Sequence, residues 1–446
     1  MTDLSRLTDA LLAAARRAGA DAADALAMHG TSVSIDIRAG ALEQAERSEG
    51  AEIGLRVLIG GRQACVSASD TSDATIQRLA ERAVAMATEA PADPHAGLAD
   101  PDQIARDWDL AALELADPSA EPGAAALEAA ARAVEEAAMQ GKGISQVEAS
   151  ASYSRRALHL AATNGFSGGY GRTSHSLSAV AFTGEGTAME RDWAAEGRIF
   201  AADMPGAEGI GALAAERALQ RAGAVKPRTG TYPVLFDERV ASSLIGHLTS
   251  AINGAAIARG ASWLRDALGT QVLPAHLSVI EDPHRPRISA SRPFDGEGLP
   301  THRRMIVENG ILTGWTLDLA TGRKLGMPST ANASRGTSAP PSPSVSNIDL
   351  TPGEYSRADL IAQMGTGLLV TSMIGSTINP TTGDYSRGAS GFWVENGQIM
   401  YPVNECTIAG NLRDMLLRII PANDARAHLS TRVPSVLIDG MTLAGA

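Results

Sequence analysis

Residues 379–393 read Asn379-Pro380-Thr381-Thr382-Gly383-Asp384-Tyr385-Ser386-Arg387-Gly388-Ala389-Ser390-Gly391-Phe392-Trp393. Turn formers (Asn379-Pro380, Thr382-Gly383) share this stretch with one acid–base pair, Asp384 and Arg387. Three hydroxyl side chains (Tyr385, Ser386, Ser390) and two large aromatics complete it. Aromatic residues make up only 4% of the chain, so Tyr385, Phe392 and Trp393 form a local concentration. The pattern predicts a polar, glycine-rich loop that ends in aromatics and continues as strand, tight turn and strand. Asn396-Gly397 suits a primed hairpin turn, which requires positive φ. Asp384 and Arg387 are expected to brace the loop through a local ion pair or backbone hydrogen bonds, with Phe392 and Trp393 as its anchors in the core. Spacing alone reads equally well as a rigid turn in a large β-sheet.

Working outward, a chain of 446 residues is long for one core, so two domains are expected. A hydrophobic share of 44% with 20% charged residues is that of a soluble globular protein. The first residues lack a basic, then apolar, secretory signal, and no apolar run reaches the length of a membrane span. A cytoplasmic location without membrane association is the expectation. Cys65 and Cys406 make neither a disulfide framework nor a four-cysteine zinc site. The net charge of −12, with no basic cluster larger than a pair, argues against direct nucleic-acid binding.

Leu4 to Ala18 carries apolar residues at helical spacing. Thr31 to Ser69 switches to period two, with Gly60-Gly61 as a hairpin turn. Thr71 to Ala90 is helical, with Ser72 and Asp73 as caps. Pro91 to Pro122 reads as a surface connection. Gly123 to Gln140 is an alanine-rich helix, Ile144 to Gly197 is again β with a turn at Asn164-Gly165, and Pro205 to Ala222 is helical. This order gives an α+β fold for residues 1–224, whose two β sections are candidates for halves of one sheet. No sequence repeat is convincing. Lys226-Pro227-Arg228-Thr229-Gly230 marks the expected boundary, with a β-rich domain over 225–446. Tyr232 to Phe236 is a strand and Glu238 to Ala258 a helix. Ser334 to Asn347, with three prolines, cannot be a central strand; it is either a mobile loop or an extended segment on a surface.

The 379–393 stretch, Asn404 to Asp414 (NECTIAGNLRD) and Ser291 to Gly298 (SRPFDGEG) together resemble the signatures of the TldD/PmbA family, closest to its PmbA, or TldE, branch. The resemblance spans nearly the whole chain. It implies a twisted, barrel-like C-terminal β domain with flanking helices. It also implies that a metal-bearing TldD-type subunit, holding zinc or iron, pairs with a TldE-type subunit to cleave unfolded peptides and small proteins. The catalytic branch carries His-Glu-x-x-x-His on a helix and a cysteine ligand near the C-terminus. Here the matching residues are Ser242, Ser243 and His247, residues 435–446 hold no cysteine, and Cys406 lies in a different motif. Serine is a poor zinc ligand and cannot act as the base for a metal-bound water. The resemblance therefore implies a subunit without its own metal or cofactor, forming a peptide chamber or subunit contact through Asn379, Asp384, Tyr385, Ser386, Arg387, Ser390, Phe392 and Trp393, with Asp295 and Glu297. The last two are paired carboxylates in a glycine-flanked segment, either solvated turn acids or, on a strand, acids on one face. No residue is singled out as catalytic. Two other classes remain: an independent, homodimeric peptidase with an unrecognised site, and a non-enzymatic binding or regulatory protein.

Overall fold

The structure, a computed structural model, describes residues 3–446. Helix α1 spans Leu4–Ala18, where the periodicity places it. The Asp3 carboxylate accepts from the Arg6 N–H at its start, and Gly19, at φ +100°, ends it in the left-handed region. Leu7, Leu11 and Leu12 turn inward. Next come β1 (Ala22–Arg38), β2 (Ala41–Ile59), β3 (Arg62–Ala68) and α2 (Asp73–Glu89), the last capped by the Ser72 hydroxyl. After α3 (Ala124–Met139) follow β4 (Ile144–Ala162), β5 (Ser167–Thr183), β6 (Glu190–Arg198) and α4 (Ala207–Gln220). The two β sections do join in one antiparallel six-stranded sheet, in the order β3-β2-β1-β4-β5-β6. Leu55, Val57 and Val66 of the first half pack under α1 and α2. Val147, Ala179 and Ala181 of the second half pack under α3 and α4.

The C-terminal region is built on five long strands: β7 (Gly230–Phe236), β8 (Gly367–Ile378), β9 (Asp384–Glu395), β10 (Gln398–Asn411) and β11 (Val436–Ala444). They run in the order β10-β9-β8-β7-β11, and β11 pairs back onto β10, closing a barrel. Closure removes the free sheet edges. Helix α5 (Glu238–Ala251) follows β7 and presses Ala241, Leu244, Ile245 and Leu248 into the main core with Val234, Leu368 and Trp393. The expected helix to Ala258 breaks at Ile252-Asn253, because the Asn253 side chain accepts from the Ala255 N–H and starts a separate short turn, Gly254–Ala258. No helix among the described residues is long and apolar enough to cross a membrane.

Three expectations change. Most of 379–393 is strand rather than loop: only Asn379 to Gly383 lies outside, and β9 begins at Asp384. The glycines serve close strand approach; a Cβ on Gly391 would lie 1.9 Å from the Leu369 carbonyl oxygen, at a bulge between β8 and β9. The Pro91–Pro122 connection is not merely superficial. Trp108 meets Phe294 edge-on at 5.0 Å between ring centroids, and Leu113 and Leu115 are buried beside Ile199. The Ser334–Asn347 segment is extended, but Thr337, Ser346 and Asn347 are buried. It is clamped on the N-terminal sheet, where Arg335 bonds Asp24 on β1 and Thr337 bonds Glu52 on β2. Asn396 and Gly397 take the expected primed turn, at φ +51° and +71°.

Candidate functional site

The sequence-predicted residues fall in three places. The first is the inner face of β9. Strand alternation sends Tyr385, Ala389 and, past the bulge, Trp393 into the main core, with Arg387 on the same side. Ser386 lies on the opposite face. Tyr385 is fully buried and its hydroxyl donates to the Met373 sulfur at 3.3 Å. Burial pushes this phenol up to about 12, against the pull of Arg387. The His247 ring, one face of α5, stands edge-on to Tyr385 with centroids 5.9 Å apart. Burial, then the Arg387 charge, holds His247 below the ordinary imidazole range, so it is neutral at neutral pH.

The expected Asp384–Arg387 pair does not form. Residues three apart on a strand point to opposite faces. Asp384 is exposed and accepts from the Thr382 hydroxyl at 2.6 Å and the Asn411 amide at 3.1 Å, which hold it below the usual carboxylate range. Asn379 closes the turn instead: its side-chain oxygen accepts from the Thr381 N–H at 2.9 Å, and its backbone bonds both Asp384 and Gly383.

The second place is the junction between the regions. Alternation along β9 turns Ser390 outward, where its hydroxyl accepts from Arg221 at 2.9 Å just beyond α4. Phe392 lines a cavity of about 510 Å³ between α4, the head of α5 and the barrel wall, with Leu213, Met400 and Tyr401. Its polar side is a network that sequence reading did not find. Arg239 bridges Asp192 at 2.9 Å and Asp237 at 3.2 Å, Arg357 reaches Asp237 at 2.8 Å, and Arg426 reaches Glu238 at 2.9 Å. The run Asp237-Glu238-Arg239 was the only signal, and it reads as an ordinary helix start. The partners Asp192, Arg357 and Arg426 lie far off in sequence.

The third place holds Asp295 and Glu297, away from β9. They lie outside the regular strands, in a loop, but they are not solvated; both are buried. Asp295 accepts three backbone N–H groups, from Glu297 and Leu299 at 2.9 Å and Ala333 at 3.0 Å. Glu297 accepts from the Leu319 N–H at 2.9 Å. Burial pushes both carboxyls up, and the Asp295 charge adds to the effect on Glu297, taking it to about 8. With three donors and Arg292 nearby, Asp295 keeps the charge and Glu297 keeps the proton. Neighbouring Phe294 plugs the N-terminal sheet, meeting Phe166 at 5.0 Å and Tyr170 at 5.5 Å.

Family models for three consecutive domains match the chain: PmbA/TldA metallopeptidase domain 1 over 23–87, the central domain over 111–222 and the C-terminal domain over 229–445. The chain is 37% identical to metalloprotease PmbA of Escherichia coli O157:H7, over 95% of this chain and 92% of that one. It belongs to the PmbA/TldD family. A metalloprotease PmbA homolog from Haemophilus influenzae is 36% identical over 97% of this chain and 94% of its own length. Among solved structures, a Bacteroides thetaiotaomicron protein assigned provisionally as a modulator of DNA gyrase superposes with a TM-score of 0.92 at 27% identity, covering all of both chains. TldE from Thermococcus kodakarensis, at 18% identity, shares the fold with a TM-score of 0.84 over 98% of this chain and 100% of its own.

The family names imply a metal, and the side chains on α5 do not fit one. Ser243 gives its hydroxyl to the Val240 carbonyl at 2.7 Å. The His247 ring packs edge-on to Tyr385, and burial and then the Arg387 charge hold it below the ordinary imidazole range. The Cys406 thiol donates to the Ala389 carbonyl at 3.2 Å, and burial pushes it up to about 11, far from a thiolate. Among the described residues no three His, Cys, Asp or Glu side chains converge.

Proposed function

We propose that this chain is the TldE-type, metal-free subunit of a two-component metallopeptidase. A TldD-type partner would supply the zinc or iron and the base, and this chain would complete the chamber and hold unfolded peptide. One observation carries the reading: Ser242 and Ser243 stand where the catalytic branch has a ligand and a base, and the remaining His247 stands against the Tyr385 ring rather than further ligands. Family membership supports the peptidase class. The interdomain cavity, with exposed Ile399, Met400 and Tyr401 along its β10 rim, adds apolar surface suited to side chains of an unfolded chain.

The test is reconstitution. The purified chain should hold well under one zinc or iron per chain by elemental analysis and leave an unstructured peptide intact. Mixed with the TldD-type protein of the same cell, it should form a complex whose cleavage stops on chelation. Chelator-sensitive cleavage by the pure chain would refute the division of labour and favour a self-sufficient peptidase. Pairing without any gain in cleavage would favour a binding or regulatory role.

A further inference from the structure

Between the N-terminal sheet and the C-terminal region lies a second cavity, of about 380 Å³. It shares no lining residue with the cavity beside Phe392. Its floor is a square of four side chains set by the register of β4 and β5. Ser154 pairs with Ser174, and Arg156, two residues on, pairs with Arg172. Ladder partners, and residues two apart on a strand, share one face. Two hydroxyls and two guanidinium groups therefore stand together. Farther along the same face Tyr170 meets Phe294, so this is the face turned to the C-terminal region. That region contributes Arg287, Ser289 and residues 428–430, and Arg198 at the end of β6 completes the basic lining. In a chain of net charge −12, the described lining holds four arginines and no aspartate or glutamate.

Three of the basic groups have carboxylates behind them. Arg198 donates to Glu196 at 2.7 Å, His428 lies 3.1 Å from the same carboxylate, and Arg287 is matched by Glu114 at 2.9 Å and Asp203 at 3.1 Å. Arg156 and Arg172 are different. Among the described residues neither forms an ion pair, and Arg156, which is exposed, makes no side-chain hydrogen bond either. Arg172 donates to the carbonyls of Ser289 and, at 3.0 Å, Ser291, and lies over the Tyr170 ring at 5.3 Å, so it is fixed before any ligand arrives.

Like charges directly opposite on neighbouring strands destabilise a sheet. Two unmatched guanidinium groups across one rung call for a compact dianion between them, and arginine grips oxyanions through its forked N–H donors. The next rung adds the hydroxyls of Ser154 and Ser174, half-buried and exposed. A carboxylate brings two oxygens and one charge. A phosphoryl group brings three acceptor oxygens and a charge of about −1.5 to −2 at neutral pH, which suits two arginines with two hydroxyls. The volume is at the low end of small-ligand sites, which run from roughly 300 to 1,000 Å³, and leaves room for a small group esterified to the phosphate.

We propose that this cavity binds a phosphate dianion, either free phosphate or the phosphoryl group of a small ester, between Arg156 and Arg172. The site is independent of peptide holding. Its lining comes from both regions, so the bound dianion ties the sheet to the C-terminal region. Inorganic phosphate and phenyl phosphate are titrated by calorimetry against the full chain at constant ionic strength, with succinate as a dicarboxylate dianion. Phosphate, free or esterified, should bind saturably and roughly tenfold or more tighter than succinate; the tighter of the two phosphates names the source. Arg156→Gln should weaken that binding roughly tenfold or more. Without ligand the same variant should unfold at or above the midpoint of the parent, since it relieves the Arg156–Arg172 repulsion. With saturating phosphate it should unfold below the parent. Absence of saturable binding by either phosphate, succinate binding as tightly, or unchanged binding in Arg156→Gln would overturn the proposal. So would a midpoint lowered equally with and without phosphate, which marks a merely structural arginine.

Discussion

Replacing Asp24 with Asn is the sharpest test of how the two regions are held together. Asp24 lies on β1, 3% exposed, and is, among the described residues, the only carboxylate paired with two arginines whose side chains are themselves buried: Arg56 from β2 and Arg335 from the Ser334–Asn347 segment. Arg56 donates from Nε at 2.6 Å, and Arg335 bonds the other carboxylate oxygen. Burial alone lowers Arg335 to about 10, a measure of how little water reaches it. Asparagine keeps the shape and removes the charge, leaving two guanidinium groups facing each other without a counter-ion. Breaking a buried pair in this way costs roughly 3–5 kcal/mol, against a total of about 5–15 kcal/mol for a folded protein. Arg335→Met should cost less, because the Asp24–Arg56 pair survives and the methionine fills the space. Urea unfolding followed by tryptophan fluorescence and far-ultraviolet circular dichroism measures both variants. The double variant should be less destabilised than the sum of the singles, since it removes one of the stranded cations. A loss below about 1 kcal/mol for Asp24→Asn, or strict additivity, would refute the argument that this triad clamps the C-terminal segment to the sheet.

The remaining expectations are briefer. Glu297 has a folded-state value near 8 against an ordinary 4.5. It takes up a proton on folding, so its contribution to stability is full below about pH 4.5 and lost as pH rises toward 8. Glu297→Gln should flatten the fall in stability over that window, by up to about 1.4 kcal/mol per pH unit; parallel denaturation curves for variant and parent would sink the assignment. Trp393→Ala should cost roughly 3–5 kcal/mol, because the ring is buried edge-on to Tyr232 at 5.0 Å. Phe392→Ala should cost clearly less, since that ring faces the interdomain cavity; equal midpoint shifts would contradict the assigned faces. Gly54→Ala should strain the same clamp, its Cβ lying 2.2 Å from the Thr337 carbonyl oxygen; unchanged stability would place Thr337 elsewhere. Cys406, buried and pushed up to about 11, should resist alkylation at pH 7.5 until the chain is unfolded, which thiol titration in urea checks.

What the sequence determined by itself is what local physics and residue order encode. The 3.6-residue stripe of α1, the Ser72 cap of α2 and the Asn396-Gly397 turn are decided by neighbours a few positions apart, and the structure places each where the pattern does. The three motif blocks carried the family. The Ser242-Ser243 substitution was equally legible, because it is a statement about residue identity. Only the tertiary structure decided who faces whom. Asp384 and Arg387 look like a pair three positions apart, and the pleat of β9 separates them. Tyr385 meets His247 only because the barrel sets α5 against that strand. Asp295 and Glu297 looked like solvated turn acids; they are buried because Phe294 beside them docks into a sheet more than a hundred residues earlier. Arg335 finds Asp24 across 311 positions. Charge, burial and protonation at these sites are properties of the packed elements, and no window of sequence contains them.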